Sequence, residues 1–466
     1  MKKHQLLVVF LIFVSMVFVA QAEIIVTEYG YLPFGKKEAM TTEKAESFSL
    51  VDKLTDREKF SGEKSEPLVD PATGETVYRL NFTDRVRGGD YYLTVGDLES
   101  RTVRIDSGAF NPVFVRAMKK ITAKRGEYGW LDDNDEDNIL LSSYMATRGL
   151  SYYETFMDRF GDGELEVPEP EQNNKIHDYA DELIYGVRGL LKWYKEGSLE
   201  SKDINELAAV VSAFAVSGRV LPKDSPELAK EVEQIALGSF EYLSAHKKEI
   251  RKDLWMLLLV ELNLLTDDKE YETQFGTELE PILETGWAPI NSEDLTGFAI
   301  GEMMKKSLES DSPIYNSYFE RSVALLIAQD RDPYYRAVVF EPIEIEFNGI
   351  YLDRIDPVGI GSEGLYMIDL NEYYKTSVWA KAAQDQLHYL IGRNREGIDY
   401  LEDGSLETVF HIALLSANFK DSSKLTRSGQ IVGGVFQITF YFVLIFAGIT
   451  LWQKYSNKKA ERNVEE

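Results

Sequence analysis

Five acids fall within eight residues in Trp130-Leu131-Asp132-Asp133-Asn134-Asp135-Glu136-Asp137, directly after Gly129. Asp132 and Asp135 stand three residues apart, and two carboxylates so spaced at the mouth of a pocket can share the deprotonation of a water molecule. A plainer use of the same residues is a solvated loop that starts a helix. Asp and Asn cap helices, and the apolar run Ile139-Leu140-Leu141 follows directly. The loop lacks the Gly at the sixth position and the closing Glu at the twelfth that a Ca2+-binding EF-hand requires, so no metal is assigned to it. The chain has no cysteine, which excludes disulfides, thiolate metal sites and a cysteine nucleophile. No cofactor is called for, and a structural calcium elsewhere is not readable from these residues.

The chain that must position these acids has 466 residues, 44% of them hydrophobic, which is enough for a large core and two domains. With 78 acids against 51 bases the net charge is −27, so the overall field repels nucleic acid, which is excluded as a partner. Both ends carry membrane signals. Lys2-Lys3, the apolar run from Leu6 to Ala20 and Ala20-Gln21-Ala22 have the parts of a secretory signal peptide at 1–22, with cleavage before Glu23. An uncleaved N-terminal anchor is the alternative. Residues 431–452 form an uncharged apolar segment long enough to cross a bilayer. Lys454, Lys458, Lys459 and Arg462 follow it, which puts the tail at 453–466 in the cytoplasm and the rest outside.

Residues 23–106 read as a β-sandwich. Short alternating or β-branched runs at 24–26, 47–51, 77–82 and 91–95 are separated by turn signals such as Pro71-Ala72-Thr73-Gly74 and Gly88-Gly89-Asp90. Asn81-Phe82-Thr83 is a glycosylation sequon on an expected strand, where a chance match stays open. Residues 107–425 read as helical. Apolar residues recur at three- and four-residue spacing over 181–194, 204–217, 226–245, 253–265, 295–307, 315–328 and 377–391. Asp224-Ser225-Pro226-Glu227 is a helix start with a Ser cap and Pro at the first position. Helices joined by short loops with no intervening strands imply an array that closes or stacks. From Pro333 to Gly364 the helical pattern stops, leaving an irregular segment of the kind that binds ligands.

Particular motifs resemble glycoside hydrolase family 9, the cellulase-like enzymes with an N-terminal Ig-like domain. Tyr29-Gly30-Tyr31-Leu32-Pro33, Phe48-Ser49-Leu50-Val51-Asp52 and Gly89-Asp90-Tyr91-Tyr92-Leu93-Thr94-Val95 resemble successive strands of that domain. Tyr128-Gly129-Trp130-Leu131-Asp132-Asp133-Asn134-Asp135 is similar to Gly-Gly-Trp-His-Asp-Ala-Gly-Asp. Asp178-Tyr179-Ala180-Asp181-Glu182 resembles an Asp-Leu-Leu-Asp-Glu helix. The most specific match is Gln386-Leu387-His388-Tyr389-Leu390-Ile391-Gly392-Arg393-Asn394, against Gln-Leu-Asp-Tyr-Leu-Leu-Gly-Arg-Asn. The resemblance implies an Ig-like sandwich followed by an all-α (α/α)6 barrel, ahead of the transmembrane helix. It also implies inverting hydrolysis of a β-1,4-linked glucan or related polysaccharide, between carboxyls about 6.5 to 9.5 Å apart. By this carry-over Asp135 is the general base and Asp132 its partner in holding water, and the closeness of their charges pushes their protonation apart.

The proton donor implied by the family is a Glu opening the last barrel helix. Glu407 fits that place, with Glu402 as a second candidate, although a Glu in a first turn is also what the helix dipole favours. Trp130, Tyr335, Arg393 and His411 are the candidates for contacting substrate, and Trp287, Tyr334 and Tyr351 add aromatic faces near them. Departures are plain. The family's His-His-Arg segment has no counterpart between Gly397 and Leu406, its Asp-Tyr-Asn run is absent behind Glu407, and Ile360-Gly361-Ser362-Glu363 stands where the family has Trp-Gly-Ser-Asn. Loss of positioning groups lowers rate while sparing fold. Two functions therefore stand: a membrane-anchored extracellular glycoside hydrolase, or an inactive descendant that binds glycan or an envelope partner.

Overall fold

The computed structural model describes residues 23–284, except 45, 70–73, 86, 170 and 173, together with 295–307, 343–347, 350–354, 356–374 and 378–420. The expected signal peptide, the expected helix at 315–328, the expected transmembrane segment at 431–452 and the expected cytoplasmic tail lie outside the described residues. Among the described residues no helix is long and apolar enough to cross a membrane.

The N-terminal domain is a sandwich of two antiparallel sheets. One holds β1 (Ile24–Ile25), β2 (Glu38–Thr41), β6 (Thr76–Asn81) and β5 (Leu68–Val69), in that order. The other runs β4 (Arg57–Glu63), β3 (Ser47–Asp52), β7 (Gly89–Val95), β8 (Leu98–Glu99), with β9 (Val103–Ile105) paired to β7. Strand alternation supplies the core: Phe48 and Leu50 of β3 and Tyr91, Leu93 and Val95 of β7 are buried with Leu80, Phe82 and Ile105. Strands β2 and β4 escape a hydrophobicity reading because they carry Glu38 and Thr41, and Arg57, Glu58, Lys59 and Glu63. Charge on β4 suits its place at the sheet edge, where it discourages pairing with another chain.

The second domain is helical: α1 (Asn111–Ala123), α2 (Ile139–Phe156), α3 (Asp178–Lys195), α4 (Ile204–Val220), α5 (Pro226–Ala245), α6 (Lys252–Thr266), α7 (Lys269–Glu284), α8 (Thr296–Ser307), α9 (Pro357–Tyr374), α10 (Val378–Leu390), α11 (Tyr400–Asp403) and α12 (Leu406–Phe419). Helices α2, α4, α6, α8, α9 and α12 pack each on the next, and α12 returns to α2, so the ring closes. Helices α3, α5, α7, α10 and α1 lie against α2, α4, α6, α9 and α12 respectively. This is the inner and outer layering of an (α/α)6 barrel. Helix α4 shows why its sequence belongs inside: buried residues run unbroken from Leu207 to Gly218, all round the helix. Outer helix α5 buries only a stripe, Leu228, Ala229, Val232, Ala236, Ser239 and Leu243. Ser225 does precede Pro226, but its side chain makes no capping hydrogen bond.

The segment expected to be irregular between Pro333 and Gly364 is in part regular. Strands β10 (Ile343–Phe347) and β11 (Ile350–Arg354) form an antiparallel hairpin, with Phe347 opposite Ile350. Helix α9 then starts at Pro357 behind Asp356, whose carboxylate accepts the Val358 and Gly359 amides at 3.0 and 3.1 Å. Three glycines hide this helix from propensity, yet two of them serve packing. A Cβ on Gly361 would lie 2.5 Å from the Cβ of His411, and one on Gly364 would lie 3.1 Å from Leu415. Close approach of α9 to α12 therefore outweighs the helix cost of glycine, about 1 kcal/mol each.

The segment after α10 forms the joint with the sandwich. Ile391 O accepts from the Glu28 amide and the Thr27 hydroxyl, both at 3.4 Å. Tyr29 donates to Asp399 at 2.9 Å, and Lys36 pairs with Asp385 at 3.4 Å. His388 is fully buried in this joint, its ring 4.9 Å from that of Tyr31 and 5.6 Å from that of Phe110. Neither ring nitrogen has a hydrogen-bond partner among the described residues. Burial first, then the cations Arg393, Lys36 and Lys37, hold its pKa well below the ordinary histidine value. The unfolded chain takes up this proton below about pH 6.5 and the folded chain does not. Stability is therefore undiminished above that pH and lost below it, by up to about 1.4 kcal/mol per pH unit. Denaturant unfolding between pH 7.5 and 5 will show a steeper loss in the wild type than in His388→Leu; parallel profiles would refute the assignment.

Candidate active site

The acidic loop is a closed turn built by its own backbone. Leu131 N–H donates to Lys124 O at 2.7 Å, Asp132 N–H to Glu136 O at 2.8 Å, and Asp135 N–H to Asp132 O at 3.1 Å. Asp135 sits at φ 60°, a left-handed conformation that Asp tolerates better than most residues. Asn138 ends the loop and caps α2, its side chain accepting the Leu141 amide at 3.0 Å. The helix-starting use of this stretch is thus realised through Asn138.

The carboxylates of the loop have different jobs. Asp132 accepts the Asn134 and Glu136 amides at 2.8 and 3.2 Å, and these backbone donors hold its pKa below the usual carboxylate range. The divergence expected from two repelling carboxylates is therefore not what sets Asp132. Asp135 is exposed and ion-paired to Lys124, whose own pKa is raised first by that hydrogen bond. Asp137 accepts the Tyr128 amide at 3.1 Å. Asp133 reaches the neighbouring inner helix and accepts the Leu406 amide at 3.0 Å. That contact ties the loop to the first turn of α12, where Glu407 follows.

Glu407 is partly exposed, with Oε1 4.0 Å from Nε2 of His411 one turn below. Nε2 in turn lies 2.7 Å from the hydroxyl of Tyr144 on α2. Burial, then Arg148, pushes the His411 pKa down to about 3, so this imidazole is neutral at ordinary pH. Arg148 pairs with Asp369 of α9 at 2.8 Å. Glu402 is held instead by Arg116 at 2.7 Å and Lys120 at 3.0 Å, both on α1. The Tyr144 and Asp133 contacts were not legible in sequence, since each joins residues more than 260 positions apart (|i−j| 267 and 273). Lys124 left one signal, a basic residue at the end of a helix eight positions before Asp132.

Three of the four expected sugar contacts, Trp130, Arg393 and His411, are buried. Trp130 is 1% exposed, its indole N–H donates to Glu182 at 2.8 Å, and its ring fills the space over Gly186, where a Cβ would lie 2.1 Å away. No face is left for a sugar. Arg393 is fully buried and pairs with Asp385 at 2.9 Å inside the joint with the sandwich. His411 is likewise fully buried, so it meets the site through Glu407 and not through solvent. Tyr335, with Trp287 and Tyr334, lies outside the described residues, and Tyr351 falls in β11. Among the described residues no group of three or more His, Asp or Glu is arranged to hold a metal ion.

The loop-to-helix contact can be tested alone. Asp133→Ala leaves the Leu406 amide without this acceptor at a cost of about 1 kcal/mol, read as a lower denaturant midpoint and faster hydrogen exchange at Leu406. Unchanged exchange at that amide would show the contact to be absent in solution.

Residues 19–100 match the family described as the cellulase N-terminal ig-like domain. No curated protein matches the chain in sequence. Among solved structures, a metagenome-derived glycoside hydrolase family 9 endoglucanase superposes with TM-score 0.70 at 14% identity, covering 86% of this chain and all of that one (100%). Bacteroides ovatus GH9 gives 0.71 at 14% identity over 85% and 98% of the two chains. AaCel9A in complex with cellobiose-like isofagomine gives 0.65 at 15% identity over 81% and 84%. The chain therefore carries a cellulase N-terminal Ig-like domain joined to a helical barrel with the fold of family 9 glycoside hydrolase endoglucanases.

Proposed function

We propose that this protein is a cellulase-type glycoside hydrolase acting on a β-1,4-linked glucan or related polysaccharide with inversion. Asp135 serves as general base, Asp132 orients the water with it, and Glu407 donates the proton to the leaving oxygen. The observation that carries this reading is the Asp133 to Leu406 hydrogen bond, because it draws the acidic loop and the first turn of α12 to one end of the barrel. A base loop and an acid helix at one rim support this reading, because both carboxyls have to reach the same sugar. The backbone donors on Asp132 keep it ionised, as a residue that accepts hydrogen bonds from water must be. The exposed pair between Asp135 and Lys124 is of a kind that contributes little, so an arriving substrate can displace the lysine. Residues 1–22 and 431–452 are read as a signal peptide and an anchor, which makes the enzyme extracellular and tethered to the cell membrane with its tail inside.

A second reading, an inactive barrel that binds glycan or an envelope partner, is favoured by two observations. The proposed base already has a cation beside it, and the tryptophan preceding the loop is consumed by the core. Reducing-sugar release from soluble β-glucans by the full-length chain decides between them. The hydrolase reading expects release that falls by about 10²-fold or more in Asp135→Asn and in Glu407→Gln. Equal background rates in all three proteins would leave only the binding role.

A further inference from the structure

Asn81 is the only asparagine in the sequence with Ser or Thr two positions after it, in Asn81-Phe82-Thr83, and the chemistry assigned above does not use it. Strand β6 shows where it stands. Alternate residues of a strand share a face. Along one face of β6, Val77 is buried in the barrel-side core, Arg79 is half-buried, and Asn81, the last residue, is exposed. That face therefore emerges from the joint between the domains as the strand ends. Phe82 turns the other way and is fully buried in the sandwich, which fixes the chain directly after the asparagine. The side-chain oxygen of Asn81 accepts the Thr83 amide at 2.9 Å. An N–H can only donate, so the atom facing it is the oxygen, and the amide nitrogen Nδ2 is the one left over. Among the described residues Nδ2 has no acceptor.

We propose that Asn81 is a site of N-glycosylation, which puts an oligosaccharide at the rim of the joint between sandwich and barrel. The inference rests on the reading above that places this part of the chain outside the cell. A membrane transferase forms the bond between Nδ2 and the anomeric C1 of an oligosaccharide carried on a polyprenyl phosphate. The C1–O bond to the phosphate breaks, the lipid phosphate leaves with the electron pair, and the amide loses one proton. The side-chain oxygen takes no part in the new bond, so its hydrogen bond to Thr83 survives the modification. The hydroxyl that completes the sequon is placed differently. Thr83 Oγ1 accepts the Lys37 amide at 3.1 Å and lies 3.5 Å from the Lys37 carbonyl oxygen, so the folded chain holds it. Attachment therefore precedes closure of this corner of the sandwich, and what the fold must then provide is room for a bulky surface group. An exposed side chain at a strand end, with a nitrogen that has no acceptor to give up, provides it.

The test takes the full-length chain from the membranes of its own cells, cuts it with trypsin and reads residues 80–85, the fragment released after Arg79 and Arg85, by mass spectrometry. The expected result is a carbohydrate mass on Asn81 in the wild type and in Thr83→Ser, and none in Thr83→Ala. Asn81→Gln leaves the Thr83 contacts with Lys37 in place and will lose the carbohydrate too, which separates loss of the acceptor from a folding defect. Protease added to intact cells reports the location independently. A bare wild-type fragment from a chain that this protease cleaves overturns the proposal and spares the extracellular reading. A bare fragment from a chain that the protease does not reach overturns both. Carbohydrate that persists on the fragment in Thr83→Ala overturns the proposal as well, because the sequon would then not be its cause.

Discussion

Closure of the helical ring is the constraint on which everything else in this molecule depends. Helix α12 must fit between α9 and α2, and the glycines of α9 set how near it can come. Only after that fit do Asp133 and Leu406, or Tyr144 and His411, become neighbours. Contacts of such long sequence separation are made late, since chain entropy has to be overcome before they return any stabilisation. The rim of the barrel is therefore assembled by packing in its walls.

Buried ion pairs set register within those walls. Glu182, 1% exposed, accepts from Thr122, Arg125 and the Trp130 indole, and Arg125 donates to Glu171 as well, sharing Nη2 between the two glutamates. This knot fixes α3 against the loop that leads into the acids. Arg219 of α4 meets Glu154 of α2 and Glu261 of α6, and so links three successive inner helices. Burying charges costs desolvation that their attraction barely offsets, so such pairs add little net stability. What they do is penalise any other arrangement, because a slipped helix would leave a charge buried and unpaired.

The same logic explains the stretch with the most specific family likeness. Gly392 adopts φ 102° to turn the chain at the end of α10, Arg393 folds back onto Asp385, and Asn394 donates to Tyr389 O and Ile398 O at 2.8 and 2.7 Å while accepting the Ile398 amide at 2.9 Å. These bonds shape the turn after α10, next to the Ile391 carbonyl that meets Thr27 and Glu28 of the sandwich. A motif can be specific because a joint is demanding. Arg393 is thus a structural residue, and its signature says more about architecture than about chemistry.

Local rules were enough for the two-domain plan and for most element types. Period-two alternation at 47–51 and 91–95 and helical spacing at 204–217 and 226–245 depend only on neighbours along the chain, and β3, β7, α4 and α5 follow them. The likeness to family 9 was likewise legible, because turns, caps and joints leave residue-specific marks. What local rules could not settle was which side of an element each polar residue meets. Trp130 and Arg393 have the chemistry of sugar-binding residues, and only their burial against Gly186 and Asp385 assigns them to the core. Helix α9 lay hidden behind its glycines for the same reason, since their value is realised against α12 and nowhere along α9 itself. Spacing sets the acids of the loop apart by position, but the tertiary structure assigned each a separate partner: backbone amides for Asp132, the next helix for Asp133, a lysine for Asp135. A carboxylate's work is decided by the donors that reach it, and those donors come from elements that the linear order keeps far apart.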